Sequence, residues 1–248
     1  MSLRLLLGMS PLLLAAVGLA PLLSGCESSQ AKSARLEKQG AQQLAGERGL
    51  VVRKQNADVR AVATSVLSDE NGTAVVVVLR NRAVQAVGHV PVAIDVQGAG
   101  GKSVYRNDLP GLDPSLVEAT GVPAKGELEW VNDQVTASGT PKRVEATIGA
   151  ERGVAPRELP KLELTQPRLI EDRVTGIEAV GRVANRSDVE QRRLVVSCVA
   201  RRGERIVAAG RAIVNRLAPG KSASFHVFFI GDPRGARITV VAPPTVFK

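Results

Sequence analysis

The sequence predicts an all-β protein built from two tandem antiparallel β-sandwiches. Valine is frequent, aromatic residues are few, and 24 glycines and 14 prolines punctuate the chain, which is typical of short strands joined by turns. Strand-like runs follow one another at roughly six or seven per hundred residues without helical periodicity. An internal repeat of domain size completes the pattern and indicates two related β-domains.

The predicted strands fall in the same order in the two halves of the chain. The first half contains runs at 59–67, 73–79, 90–96, 102–105, 127–131 and 143–148. The second half contains runs at 162–170, 175–183, 194–200, 205–213, 223–229 and 236–241. Between the first two runs stands the turn sequence Ser-Asp-Glu-Asn-Gly at 68–72, which favours a hairpin.

Alignment of the two halves predicts which side chains face each core. Leu79-Arg80-Asn81-Arg82 matches 183–186, and the run 90–96 matches 194–200. Alternate residues of a strand point to opposite faces, so the apolar set of each run is expected to face inward. The predicted core residues are Val90, Val92, Ile94, Val96, Leu128 and Trp130 in the first half, and Leu194, Val196, Cys198, Ala200 and Phe225 in the second.

The second half carries a recognisable pattern. It consists of Gly-Arg-Val-Ala-Asn-Arg-Ser at 181–187, a turn glycine at Gly203, and Leu-Ala-Pro-Gly-Lys-Ser-Ala-Ser-Phe at 217–225. This pattern resembles the FxLYD-type module, an immunoglobulin-like sandwich of bacterial envelope proteins, although the strand at 195–199 reads Val-Val-Ser-Cys-Val. The resemblance extends more faintly to the first half. It implies an immunoglobulin-like fold and neither a catalytic residue nor a defined ligand.

The first 26 residues have the organisation of an export signal. Arg4 precedes an apolar stretch at 5–23 that is interrupted by glycine and proline, so it would make a poor permanent membrane helix. Leu23-Ser24-Gly25-Cys26 resembles the lipobox of bacterial prolipoproteins. The resemblance implies cleavage before Cys26, acylation of Cys26 and an extracytoplasmic, membrane-anchored protein. An ordinary cleavable signal with an incidental cysteine is the alternative.

These observations predict five segments. Residues 1–25 are the signal peptide, 26–57 the lipidated cysteine and tether, 58–150 the first sandwich, 151–161 a linker and 162–248 the second sandwich. The polar tether has little to bury and is expected to be flexible. As a coil it would span roughly 30 Å.

No motif in the sequence predicts an enzyme, a cofactor or a metal site. His89 and His226 are the only histidines, and neither HExxH nor CxxC occurs. The acidic residues of the expected loop at 106–122, Asp108, Asp113 and Glu118, match no calcium-binding spacing. Because Cys26 is expected to be acylated, Cys198 has no partner for a disulfide bond, and we expect a buried thiol.

Charge is distributed unevenly along the chain. Residues 58–150 carry 8 basic and 11 acidic residues, whereas residues 151–248 carry 18 and 10. Five arginines flank one predicted strand and its turn: Arg192, Arg193, Arg201, Arg202 and Arg205. They form a candidate anion-binding patch for phospholipid headgroups, an anionic glycopolymer or an acidic partner. A solvated strand end is the alternative, and nucleic acid is not expected because no aromatic residues are interleaved.

The sequence therefore predicts a non-enzymatic, lipid-anchored envelope protein that binds or scaffolds another envelope component. Its expected partners are the membrane, through the lipid on Cys26, and an envelope protein or anionic glycopolymer. The alternatives are a lipid-tethered solute receptor or enzyme with a site at the interdomain junction near 157–166, or an accessory subunit of a secretion or cell-wall machine. Oligomeric state stays open.

Overall fold

The computed structural model describes residues 49–152, 156–172 and 176–247, which belong to one compact unit. The expected signal peptide, Cys26 and the tether up to residue 48 lie outside the described residues. Within the described ranges every strand pair is antiparallel, and sheets pack face to face, which confirms the predicted all-β sandwich fold. A search of the same residues for a helix able to cross a membrane finds none.

Seven strands and two sheets form the first sandwich. The strands are β1 (Val59–Asp69), β2 (Gly72–Asn81), β3 (Val87–Gln97), β4 (Ser103–Arg106), β5 (Glu118–Val122), β6 (Glu127–Asn132) and β7 (Arg143–Ile148). One sheet has the order β1-β2-β6. In the other sheet β3 pairs with β4, β5 and β7. Asp69 pairs with Gly72, so β1 and β2 form a hairpin within the predicted turn sequence, and its two turn residues are Glu70 and Asn71.

In the described parts of the second sandwich, eight strands form two sheets. The strands are β8 (Leu162–Leu164), β9 (Arg168–Asp172), β10 (Gly176–Asn185), β11 (Gln191–Arg202), β12 (Arg205–Leu217), β13 (Ser222–Phe228), β14 (Ile230–Gly231) and β15 (Arg237–Val241). One sheet has the order β13-β10-β8, and β9 also pairs with β10. The other sheet has the order β14-β12-β11-β15.

The predicted core residues lie where the alignment places them. The first core contains all six side chains predicted for it, including Trp130, which is 6% exposed. All five residues predicted for the second core, including Cys198, are likewise buried together. The inward set of each central strand is therefore confirmed, because each of these two strands keeps a regular alternation between its faces.

Two segments differ from the prediction. The expected loop at 106–122 contains a short 3₁₀ turn, Pro114–Leu116, and strand β5. Strand β5 reads Glu-Ala-Thr-Gly-Val, which carries little strand preference, and Gly121 has a positive φ of 58°. The single strand predicted at 162–170 is two strands, β8 and β9. Pro167 lies between them, and its ring nitrogen cannot donate to a sheet ladder.

The two sandwiches pack against each other through a third apolar cluster. Its buried members are Val76 and Val131 of the first sandwich and Val199, Ile206 and Ala209 of the second. Strands β2 and β6 thus contact β11 and β12. Strand β2 is consequently buried on both faces from residue 74 to residue 79, and four sheets are stacked in one body.

The end of the expected tether already contacts the first sandwich. The backbone N–H of Asn56 donates to the carbonyl of Ile148 at 2.9 Å, and Ala150 donates to the carbonyl of Lys54 at 2.9 Å. These bonds join the segment to the end of β7. The chain therefore already contacts the first sandwich before the predicted boundary at residue 58, and Gly49 lies against the backbone of Asp108.

Candidate binding site between the two sandwiches

Among the residues that the structure describes, three ion pairs connect the sandwiches across their contact. Arg193 pairs with Asp113 and Arg201 pairs with Glu129. The Nε of Arg211 on β12 lies 2.7 Å from Oδ1 of Asp133, just after β6. In each pair the arginine belongs to the second sandwich and the carboxylate to the first.

Arg211 is the most deeply buried of the three arginines. Its side chain is 2% exposed, and its Nη1 donates to Oγ of Ser115 at 2.6 Å. Its backbone N–H also donates to Oδ2 of Asp133 at 3.1 Å. The guanidinium Nη2 has no hydrogen-bond partner in the described part of the chain. A buried charge held by this many directional bonds fixes the orientation of two packed sheets more precisely than apolar contact alone.

The ion pairs explain the uneven charge of the sequence. The first sandwich carries an excess of carboxylates and the second an excess of arginines. Charges of opposite sign on two facing surfaces favour one relative orientation. Part of the basic character of the second half is therefore used inside the molecule rather than presented to a partner.

A cavity of about 200 Å³ lies beside these ion pairs. Strands β5 and β6 and the 3₁₀ turn contribute its wall on the first sandwich, and β11 and the segment after β15 contribute the opposite wall. Much of the surface is apolar and comes from Ala119, Trp130, Val131, Val195 and Pro243. An apolar cleft with a few polar groups at a domain interface is the usual form of a small-molecule site.

Glu129 lines this cavity and is only partly satisfied. One of its carboxylate oxygens pairs with Arg201, whereas the buried Oε2 has no hydrogen-bond partner among the described residues. Burial raises the pKa of the Glu129 carboxyl, and the charge of Arg201 opposes that rise. Oε2 has less than 1 Å² of accessible surface, so this unmet acceptor is enclosed in the packed interface and is not open to the cavity.

Several polar groups of the rim are bonded to one another. Nδ1 of His89 lies 2.6 Å from Oε1 of Glu118, and the His89 ring also meets the Phe247 ring edge to face at 5.4 Å. The indole N–H of Trp130 donates to the carbonyls of Ser115 and Glu118, at 3.1 Å each. These bonds hold the rim of the cavity in one shape, so little conformational entropy would be lost when a ligand binds.

Asp113 connects the rim to β11. Burial opposes ionisation of its carboxyl, but hydrogen bonds from Ser115 and the neighbouring Arg193 hold its pKa below the usual value. Arg193 itself has a positive φ of 50°, an uncommon backbone conformation for a residue other than glycine. The strand therefore departs from regular geometry where it meets the cavity.

The five arginines of the predicted anion-binding patch lie in two groups. Arg192 and Arg193 stand at one end of β11, and Arg201, Arg202 and Arg205 stand at the other end and in the turn. At about 3.3 Å per residue, Arg193 and Arg202 are roughly 30 Å apart. A single anionic group cannot contact both ends, so each end is a separate candidate.

Most of these arginines already have partners. Arg193 and Arg201 bind the first sandwich, and Arg192 lies 3.1 Å from Glu190. Arg202 donates to the carbonyl of Arg234 at 2.8 Å, while Arg205 is exposed. The anion-binding patch stays a prediction. Arg192, Arg202 and Arg205 are its candidates for contact with an external ligand, because they do not bind the first sandwich and their side chains are exposed.

Cys198 is free and fully buried in the second core. Burial raises the pKa of its thiol to about 12. A thiol that stays protonated at neutral pH is a poor nucleophile and a poor metal ligand. No group of three His, Cys, Asp or Glu side chains that could hold a metal ion occurs in the ranges that the structure describes.

The segment 157–166, where the alternative binding site was expected, does not line the cavity between the sandwiches. Residues 157–161 line an open depression of about 620 Å³ together with 186–189. Sequence reasoning did not identify Arg211, Asp133 or Glu129 as interface residues. One signal was present, because β2 reads Val-Val-Val-Val at 75–78 without polar alternation, which is typical of a strand buried on both faces.

The fold and the cavity define the class of this protein. It is a double β-sandwich with a cavity at the junction of its two halves, and the lining of that cavity is mostly apolar with a few polar side chains. A scan against models of known protein families found no match, and a search of curated proteins found no similar sequence. The FxLYD resemblance therefore stays a prediction.

Proposed function

We propose that this chain is a lipid-anchored, non-enzymatic binding protein of the bacterial cell envelope, and that the cavity between its sandwiches is the binding site. The lipobox-like sequence ending at Cys26 supports the anchor and the extracytoplasmic location. The tether after Cys26 would let the body stand off the membrane. Two FxLYD-like, immunoglobulin-like sandwiches would form the rigid frame of the site.

The observation that carries the binding function is the largely apolar cavity at a tightly fixed interface. Buried ion pairs and an apolar cluster hold the two walls together. A site built on strands that are packed on both sides is preorganised, so ligand binding costs little ordering entropy.

Scaffolding is the second candidate, and one surface favours it. Ile170 and Phe228 are 39% and 50% exposed, and both pair with Glu178 across neighbouring strands of the outer sheet. They form an apolar strip on the face of the second sandwich remote from the first. Such a strip suits contact with another envelope protein.

Photo-crosslinking in cells separates the two candidates. A photoreactive residue at Val195 reports on the cavity, and one at Ile170 reports on the outer strip. If the cavity is the binding site, the Val195 position should gain a low-mass adduct. Protein adducts from Ile170 alone, with none from Val195, would show that the chain is a scaffold.

Metabolic labelling with an alkyne-bearing palmitate tests the anchor. The chain should incorporate label, and Cys26→Ser should abolish incorporation. Cys198→Ser is the matched control, because the buried thiol should not be acylated, and its label should equal that of the unaltered chain. Equal labelling of Cys26→Ser and the unaltered chain would contradict lipidation at Cys26.

A further inference from the structure

The charged side chains of the cavity are already paired. Six titratable side chains line it, and each has an ion-pair or hydrogen-bond partner: His89 with Glu118, Asp113 with Arg193, Glu129 with Arg201, and Arg192 with Glu190. An ionic ligand that entered the cavity would lose its hydration without meeting an unpaired charge of opposite sign, and such burial is costly. The pairing therefore favours an uncharged ligand.

One buried hydroxyl faces the cavity without a partner. Ser197 lies on β11 between Val196 and Cys198, which point into the second core, so the Ser197 side chain points toward the first sandwich. It is 3% exposed and lines the cavity. Its hydroxyl makes no hydrogen bond within the described residues, and unlike Oε2 of Glu129 it is not sealed off from the cavity. Because a hydroxyl both donates and accepts, a ligand in the cavity can bond to it.

The walls set the size and polarity of the remainder of the ligand. The cavity has a volume of about 200 Å³. An engineered apolar cavity of roughly 150 Å³ in another protein holds benzene, so this one admits a body of about seven or eight non-hydrogen atoms. The apolar lining from Trp130, Val131 and Val195 favours a hydrocarbon body.

We propose that the cavity binds a small uncharged molecule with a hydrocarbon body and one neutral oxygen, that of an alcohol or a carbonyl group. The oxygen bonds to the hydroxyl of Ser197, and the hydrocarbon part lies against Trp130 and Val195. This inference rests on the proposed function and specifies the ligand class of the same site. Trp130 lines the cavity and is the only tryptophan of the chain, so its fluorescence reports on occupancy.

Three probes of equal chain length test the absence of charge on the full chain carrying Cys26→Ser. Hexanol, hexylamine and hexanoate are titrated at neutral pH while Trp130 fluorescence is recorded. Hexanol should bind saturably, and both ions should bind about tenfold or more weakly, because each would bury a charge that finds no free partner. If hexylamine or hexanoate binds as tightly as hexanol, the preference for an uncharged ligand is wrong.

A fourth probe, 1-chlorohexane, isolates the hydrogen bond to Ser197, because chlorine replaces the hydroxyl on the same hydrocarbon chain. Ser197→Ala should weaken hexanol binding by about threefold to tenfold, the usual effect of one neutral hydrogen bond, and leave 1-chlorohexane binding unchanged. Ser224→Ala is the matched control, since Ser224 is exposed on β13 and outside the cavity, and it should change neither. Equal losses of the two probes in Ser197→Ala would overturn the bond to the ligand oxygen.

A substitution that fills the cavity separates the inference from the function beneath it. Ser197→Leu places a larger side chain in the cavity and should abolish binding of hexanol and 1-chlorohexane alike. If no probe saturates, or if Ser197→Leu binds them as the unaltered chain does, the cavity is not the binding site. A charged probe that binds best and is lost in Ser197→Leu would overturn the ligand class alone. Should Ser197→Leu fail to fold, the order of the probes on the unaltered chain still decides.

Discussion

Substitution of Arg211 by methionine should uncouple the two sandwiches. The substitution keeps an apolar stem of similar length but leaves Asp133 and Ser115 without their partner. Breaking a buried ion pair in this way costs about 3–5 kcal/mol. The Arg211 side chain is 2% exposed and that of Asp133 is 18% exposed, so we expect a loss near the lower end, about 3 kcal/mol.

Two probes follow the two sandwiches separately during denaturant unfolding. Trp130 fluorescence reports on the first core, and reaction of Cys198 with a thiol reagent reports on the second. In the chain carrying Cys26→Ser the two transitions should coincide, since coincident transitions are expected of one cooperative body. In Arg211→Met the midpoints should fall and separate. Arg216→Met is the control, because Arg216 lies on the same strand but is 73% exposed.

A double-mutant cycle tests the electrostatic part of this reasoning. Asp133→Asn alone should destabilise as Arg211→Met does, because it leaves a buried guanidinium poorly compensated. The double variant should recover part of the loss, since no unpaired charge remains. If Arg211→Met changes the midpoints no more than Arg216→Met, or if the two single losses simply add, the interface does not depend on this ion pair.

Three further predictions concern single side chains. Cys198 should react with a maleimide only as fast as the protein unfolds, because its pKa is about 12 in the folded state; rapid labelling under native conditions would contradict its burial. Gly181→Ala should destabilise by about 1–3 kcal/mol in thermal unfolding, because the added Cβ would overlap the buried ring of Phe225; unchanged stability would show that the ring moves freely. Burial raises the pKa of the Glu129 carboxyl in the folded protein above its usual 4.5. The protonated Glu129 carboxyl therefore stabilises the folded protein at low pH, and this contribution is lost as the pH rises through the raised pKa. Glu129→Gln should flatten this part of the curve of stability against pH, and an unaltered curve would refute the raised pKa.

The sequence predicts the two cores well because strand alternation is a local property. Val92 and Val196 occupy matching positions in the repeat, and both are fully buried. Strand β5 was missed because Glu118–Val122 has little intrinsic strand preference, and its backbone pairs with β3 through tertiary structure. The local pattern of apolar residues therefore predicts those strands that have a clear apolar face.

The candidate site could not be predicted in the same way. The partners Arg211 and Asp133 are 78 residues apart, and no periodicity links them. Glu129 was expected to face away from the first core, as it does, but that outward face is covered by the second sandwich. Long-range packing decides which outward side chains become buried, so local patterns in a single sequence do not reveal the cavity.

Native mass spectrometry of the chain extracted from its own envelope tests the central claim most directly. The account predicts a bound low-mass species on the unaltered chain. Ser197→Leu, which fills the cavity, should lose that species. A similar apolar replacement outside the cavity, Ile213→Leu, should retain it. A chain without a bound species, or equal retention in the two variants, would contradict ligand binding between the sandwiches.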